Sequence, residues 1–238
     1  MRTVVLPILF FLAYCPVSSA GGFNYLTALT EGRFYSRSVF ADDDHIYGAN
    51  QQYVYLWDRD SFSFQTRLPA SSGNFLESVR SDDGYIYAGD VMGNILLWDR
   101  DTLQPDTILA TGSRSIVRLF LDPDYLYGAN LDGSVYLWDR GEFSFQTALY
   151  AGPDKIYDVF ADSGYIYGSS GDGSVYLWDR DDFSFETALT ESDTAMKGVW
   201  VTDGIVYGGN IDGNIYCWDR GTFSLQTVLT DAATAVWA

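Results

Sequence analysis

Apolar and polar positions alternate along this chain in short runs, and the runs recur in one order about every 40 residues. One unit reads as a short apolar stretch, an acidic turn, a Tyr-Ile-Tyr-Gly-like stretch, an Asp-Gly turn, a Val-Tyr-Leu-Trp-Asp-Arg stretch, then Phe-Ser-Phe-Gln-Thr-Ala-Leu. Short runs of aromatic and branched residues bounded by Asp and Gly predict β-strands, four to a unit. The Trp-Asp-Arg ending falls at Trp57, Trp98, Trp138, Trp178 and Trp218, spaced 41, 40, 40 and 40 residues apart. A period that regular is the mark of a repeat architecture.

The first strand of each unit spans Arg37 to Ala41, Glu77 to Ser81, Val117 to Leu121, Tyr157 to Ala161 and Lys197 to Val201. The second begins at His45, Tyr85, Tyr125, Tyr165 and Ile205 and ends at a small residue. Asp132-Gly133, Asp172-Gly173 and Asp212-Gly213 follow as hairpin turns, with positive φ expected at both central positions. The third strand is apolar on both faces, as Val135 and Leu137 against Tyr136 and Trp138 show, so both faces must be covered. A radial array, each small sheet packed between two others, meets that demand and leaves the polar fourth strand, Phe143 to Leu149 and its equivalents, as the outer edge.

From Phe23 to Ala238 the chain resembles the Trp-Asp (WD) repeat β-propellers, in period, Trp-Asp ending and Asp-Gly hairpin. The resemblance implies an all-β propeller of four-stranded antiparallel blades. It also implies structural roles for Trp57, Asp58, Trp98, Asp99, Asp139, Asp179 and Asp219, and a buried hydrogen-bond network pairing Trp138 with Asp132, Trp178 with Asp172 and Trp218 with Asp212. The Gly-His pair that completes the network in that family is missing, and the one histidine, His45, lies in a second strand. The unit is similar as well to quinoprotein-type propeller repeats, which implies the same architecture with different chemistry.

The ends modify this picture. Arg2, an apolar core from Val4 to Val17 and Ser18-Ser19-Ala20 have the layout of a secretory signal peptide over residues 1–20, leaving 21–238 as the propeller and a secreted, cell-surface or periplasmic location as the expectation. Cys15 sits in a weak lipoprotein-like context, with the bulky Tyr14 directly before it. Phe23 to Leu29 matches an outer strand, and Thr234 to Val236 aligns with the start of a first strand. The reading is five complete blades with a partial strand at each end, in a chain truncated at its C-terminus.

The formal charge is −18, with 27 of the 32 acidic residues Asp and only Lys155 and Lys197 as lysines. Nucleic acid and anionic membranes are poor partners for such a surface. Aspartate-rich turns account for much of the charge, and scarce lysine also matches proteins of salty habitats. Cys217 replaces the leucine of the other units (Leu56, Leu97, Leu137, Leu177), which predicts a buried apolar role.

Arg59, Arg100, Arg140, Arg180 and Arg220 recur after the signature Asp and are expected to pair with the acidic residues beside them, such as Asp60, Asp101, Asp181 and Asp182. Calcium is the one cofactor the Asp42-Asp43-Asp44 and Asp122-Pro123-Asp124 turns bring to mind, although neither has the ligand spacing of a known calcium loop. No metal-ligand spacing, phosphate loop or nucleophile motif is present, so neither a catalytic residue nor another cofactor is assigned. Binding residues are sought where the repeat breaks: Ser71 to Phe75, Gly112 to Arg114, Gly152 to Lys155 and Asp193 to Lys197. Arg114, Lys155, Tyr157 and Lys197 are the candidates, on one end of the central channel.

These residues point to a secreted, non-catalytic interaction scaffold for protein or glycan, with a quinoprotein-like oxidoreductase and a propeller lectin as the alternatives. If the core assignment holds, Trp138→Ala costs about 3–5 kcal/mol in a denaturant melt. Arg140→Ala costs under about 1 kcal/mol if its ion pair lies in solvent.

Overall fold

The structure, a computed structural model, describes residues 28–29, 35–70, 73–111 and 114–230. The signal peptide expected over residues 1–20, Cys15, most of the segment from Phe23, the Ser71-Ser72 and Gly112-Ser113 dipeptides and the strand expected at Thr234 lie outside the described residues.

Among the described residues, twenty strands form five four-stranded antiparallel sheets, each in plain sequence order. Blade 1 holds β1 (Ser38–Ala41), β2 (His45–Ala49), β3 (Tyr53–Asp58) and β4 (Phe64–Pro69), and blade 2 holds β5 (Leu76–Ser81), β6 (Tyr85–Asp90), β7 (Asn94–Asp99) and β8 (Pro105–Ala110). Blade 3 is β9 (Ile116–Leu121), β10 (Tyr125–Asn130), β11 (Ser134–Asp139) and β12 (Phe145–Tyr150). Blade 4 is β13 (Ile156–Ala161), β14 (Tyr165–Ser170), β15 (Val175–Asp179) and β16 (Phe185–Leu189). Blade 5 is β17 (Met196–Thr202), β18 (Ile205–Asn210), β19 (Ile215–Asp219) and β20 (Leu225–Leu229).

The core lies between blades. Tyr127, Ala129, Val135, Leu137 and Leu149 of blade 3 meet Ile156, Val159, Ile166 and Trp178 of blade 4, and the other joints repeat this set. The inner strands carry the array, with β1 against β5, β5 against β9, β9 against β13 and β13 against β17. That packing has no counterpart between β17 and β1 among the described residues. The outermost faces are accordingly open: Val39 is 51% exposed where Val79 is 0%, and Leu229 is 51% exposed where Leu149 is 4%. Cys217 is buried in its leucine position, and burial pushes its thiol pKa up.

Two local expectations are corrected. The outer strand starts at Phe145 rather than Phe143, because Phe143 is left-handed (φ 55°) and belongs to the turn. In the Asp-Gly hairpins only the glycine has positive φ, 98° at Gly133 and at Gly173, with the aspartate in an ordinary conformation. The Gly133 N–H bonds back to Asn130 (3.3 Å), the pattern of a type I turn followed by a left-handed glycine.

That glycine is doubly required, since a Cβ at Gly173 would stand 2.2 Å from the Ser192 carbonyl oxygen in the loop leading to blade 5. Gly173→Ala is therefore expected to cost more than about 2 kcal/mol, strain plus the displacement of that loop, in a urea melt.

Candidate functional site

Each Trp-Asp-Arg signature closes a hairpin with its aspartate, and from the second blade onward its arginine reaches into the preceding blade. Asp58 Oδ1 accepts the Ser61 N–H (2.7 Å), and Asp99, Asp139, Asp179 and Asp219 cap the equivalent turns. Four residues after each aspartate stand Phe62, Leu103, Phe143, Phe183 and Phe223, all with φ between 55° and 62°. A non-glycine residue adopts that conformation at a cost, and from the second blade onward the residue also packs against the blade before it. Phe143 meets Tyr85 edge-on (5.0 Å), Phe183 meets Tyr125 (5.6 Å) and Phe223 meets Tyr165 (5.3 Å).

The arginines follow the same route. Arg140 Nη2 bonds Asp82 (2.8 Å), Arg180 Nη2 bonds Asp122 (2.9 Å) and Asp124 (2.6 Å), and Arg220 grips Asp162 with Nε and Nη2 (2.7 Å each). Arg100 meets Asp44 (2.7 Å) and Asp42 (3.2 Å), while Arg59, in the first blade, turns to Asp43 of its own blade. The sequence neighbours Asp60, Asp101, Asp181 and Asp182 are not the partners; from Arg100 onward the partner opens the β1–β2-type turn one blade back. There it also accepts a tyrosine hydroxyl, from Tyr47 (2.7 Å), Tyr87 (2.6 Å), Tyr127 (2.7 Å) or Tyr167 (2.9 Å). The equivalent position in blade 5 is Thr202.

Burial alone would raise the Asp162 pKa, but the Arg220 guanidinium, the Gly164 and Tyr165 N–H groups and the Tyr167 hydroxyl bring it down to about 2. Against the same effect of burial, Asp82 and Asp122 are lowered by their tyrosine, backbone N–H groups and arginine, and Asp42 by the Ser81 and Tyr47 hydroxyls and backbone N–H groups. Burial, and then the neighbouring carboxylate, raises Tyr87, Tyr127 and Tyr167. These groups make structural joints.

The family network takes a different form here. Asp132 and Asp172 accept from the Tyr136 (2.8 Å) and Tyr176 (2.6 Å) hydroxyls rather than from Trp138 and Trp178. Trp218 donates to Glu191 (2.7 Å), and the Asp212 N–H bonds Asn210. Asn50, Asp90, Asn130 and Asn210 close the inner hairpins, buried to 2% exposure or less, and Asn130 and Asn210 also tie down the incoming loops. Asp42, Asp44 and His45 bring possible ligand atoms within 4.8 Å of one another, but Arg100 already occupies both carboxylates.

Where the repeat breaks, the inner strands bulge. Residues 77, 117, 157 and 197 drop out of the ladder registers, and such bulges re-aim side chains. Lys197 Nζ lies 3.1 Å from the Tyr157 ring centroid, and Arg37 bonds both Glu77 oxygens (2.7 Å), each contact joining consecutive blades. Arg114 and Lys155 stand exposed in the entry loops, where their carbonyls accept from Asn130 (2.9 Å) and Gly171 (2.8 Å). Of the four candidates, Tyr157 and Lys197 thus lie in contact. Sequence reasoning missed Glu77 and Arg37, although their 40-residue spacing and opposite charges were visible.

The fold is similar to the WD40 β-propeller domain of Doa1, with a TM-score of 0.76 at 19% identity over 86% of this chain and 71% of that one. It is similar also to U3-55K, with a TM-score of 0.76 at 19% identity over 85% of this chain and 66% of that one, so this chain spans about two thirds of U3-55K. No protein-family model matches the sequence, and no curated protein does. The likeness to both is one of fold, the array of four-stranded blades.

The joint revises the expected cost of losing Arg140, whose side chain is 26% exposed against 15% for Asp82. Arg140→Ala should destabilise by about 2–3 kcal/mol, and a double-mutant cycle with Asp82→Asn should return a coupling above about 1 kcal/mol. The lowered carboxylates stabilise the fold above their unfolded pKa near 3.8 and lose that contribution as pH falls toward their folded values. Urea midpoints should therefore hold down to about pH 4 and fall between about pH 4 and 2, and less steeply in Arg220→Met.

Proposed function

We propose that the chain is a secreted, non-catalytic β-propeller that presents its inner-strand rim to a protein or glycan partner. The observation that carries this reading is the division of labour between repeated and unrepeated positions. Tyrosine, aspartate and arginine recur and tie blades together, whereas residues 37, 77, 117, 157 and 197 are Arg, Glu, Val, Tyr and Lys at one repeated place. Varied chemistry on a constant scaffold is how binding surfaces are built. WD40-type blades in the structural neighbours support the scaffold reading by analogy of fold. Export rests on the layout of residues 1–20.

The test is affinity capture from exported proteins on the immobilised chain, alongside a glycan array. A discrete protein retained by the natural chain and lost with Tyr157→Ala/Lys197→Glu, at unchanged melting temperature, supports the reading. Capture indifferent to the rim substitutions overturns the assigned surface. Several equivalent glycan sites per chain would move the protein to the lectin class, and turnover of an alcohol with an artificial electron acceptor to the quinoprotein class.

A further inference from the structure

Two residues before each turn aspartate, the inner strands carry Phe40, Arg80, Phe120, Phe160 and, in blade 5, Trp200. Phe120, Phe160 and Trp200 form a continuous row on the inner strands, and Phe40 lies on the far side of Arg80. Phe120 and Phe160 lie 4.9 Å apart, as do Phe160 and Trp200, and Trp200 is 58% exposed. Arg80 occupies a place that is aromatic in the other four blades, and its guanidinium lies over the Phe40 ring at 5.2 Å.

Arg80 is also unlike the joint arginines in its partners. Its Nη1 donates to the adjacent Val79 carbonyl (2.9 Å), and among the described residues no carboxylate lies within 4 Å of it. A guanidinium has five N–H donors in a planar fork, so most of that capacity is unspent. Arg118 on the neighbouring inner strand adds a second positive charge, and Asp158 (3.1 Å from Arg118 Nε) is an acid that both arginines face. Burial, with Arg118 acting in the same direction against Asp158, lowers the Arg80 pKa to about 10, so the group remains charged at neutral pH. The result is a locally positive, half-buried fork in a chain of net charge −18.

We propose that Arg80 anchors a carboxylate-binding site on the inner edge of the blades, for an acid carried on a flat apolar body that packs along the Phe40, Phe120, Phe160 and Trp200 rings. The fork supplies charge-assisted bonds to the carboxylate, Arg118 reinforces the local charge, and the aromatic row takes up the apolar part. The acid comes either free or as the side chain of a partner segment, and the site is distinct from the Tyr157–Lys197 rim.

Titration calorimetry on the full chain tests it with four probes: benzoate, benzamide, acetyl-Phe-Asp-Phe-amide and its Asn counterpart. Arg80→Phe restores the aromatic of the other blades and should leave the melting temperature intact, which separates binding from folding. The expected result is saturable binding of at least one acid, at least about tenfold weaker for its neutral counterpart and for Arg80→Phe, with Arg80→Lys in between. Preference for the peptide makes the source a partner's acidic side chain, and preference for benzoate a free organic acid. Absent binding, equal binding of acid and neutral counterpart, affinity unchanged in Arg80→Phe, or an Arg80→Phe chain that fails to fold would each overturn the proposal.

Discussion

A blade of this chain cannot stand alone, because both of its faces are apolar, and every other property of the array depends on the joint that covers them. Area supplies most of the free energy there: Tyr127, Leu137 and Leu149 on one side and Val159, Ile166 and Trp178 on the other are buried almost completely. Apolar area is non-directional and would tolerate a sliding or tilted neighbour. Direction comes from the arginine that crosses to the aspartate and tyrosine of the blade before it, with a phenylalanine held left-handed beside it. Since each blade touches its immediate neighbours, stability approximates a sum of blade and joint contributions.

Much of this was readable in the residues. Period-two runs with a 40-residue repeat gave strand number, order and antiparallel pairing, and the doubly apolar third strand implied lateral stacking. Arginine pairing was not readable locally, because the partner lies 58 residues away, one full repeat plus a hairpin, while Asp181 and Asp182 sit next to Arg180 and look sufficient. The left-handed Phe143 defeated a strand assignment for a similar reason: its pattern, Phe-Ser-Phe, is that of a strand, whereas the residue sits in a turn capped by Asp139 and packs on Tyr85 of the preceding blade. Two of the four candidate residues touch. Tyr157 and Lys197 meet because they share a repeat position, whereas loop membership alone says nothing about side-chain proximity.

The contrast between the two arginine populations is instructive for repeat proteins in general. Arg100, Arg140, Arg180 and Arg220 recur, lie against carboxylates and belong to the scaffold. Arg80 interrupts an aromatic series and donates to the Val79 carbonyl of its own strand. Recurrence tells architecture from chemistry here better than residue type does, and the partner list then ranks the exceptions.

The backward reach of the joint gives the chain a temporal order. A ribosome delivers the tyrosine and aspartate of a blade first, and the arginine that locks them follows only after 58 more residues, as Asp122 and Arg180 illustrate. Until then the newest blade has its inner acidic turn unneutralised and one apolar face bare. Maturation therefore runs as a zipper trailing synthesis by about a blade and a half, and the blade at the growing end is always the one most in need of shelter from aggregation.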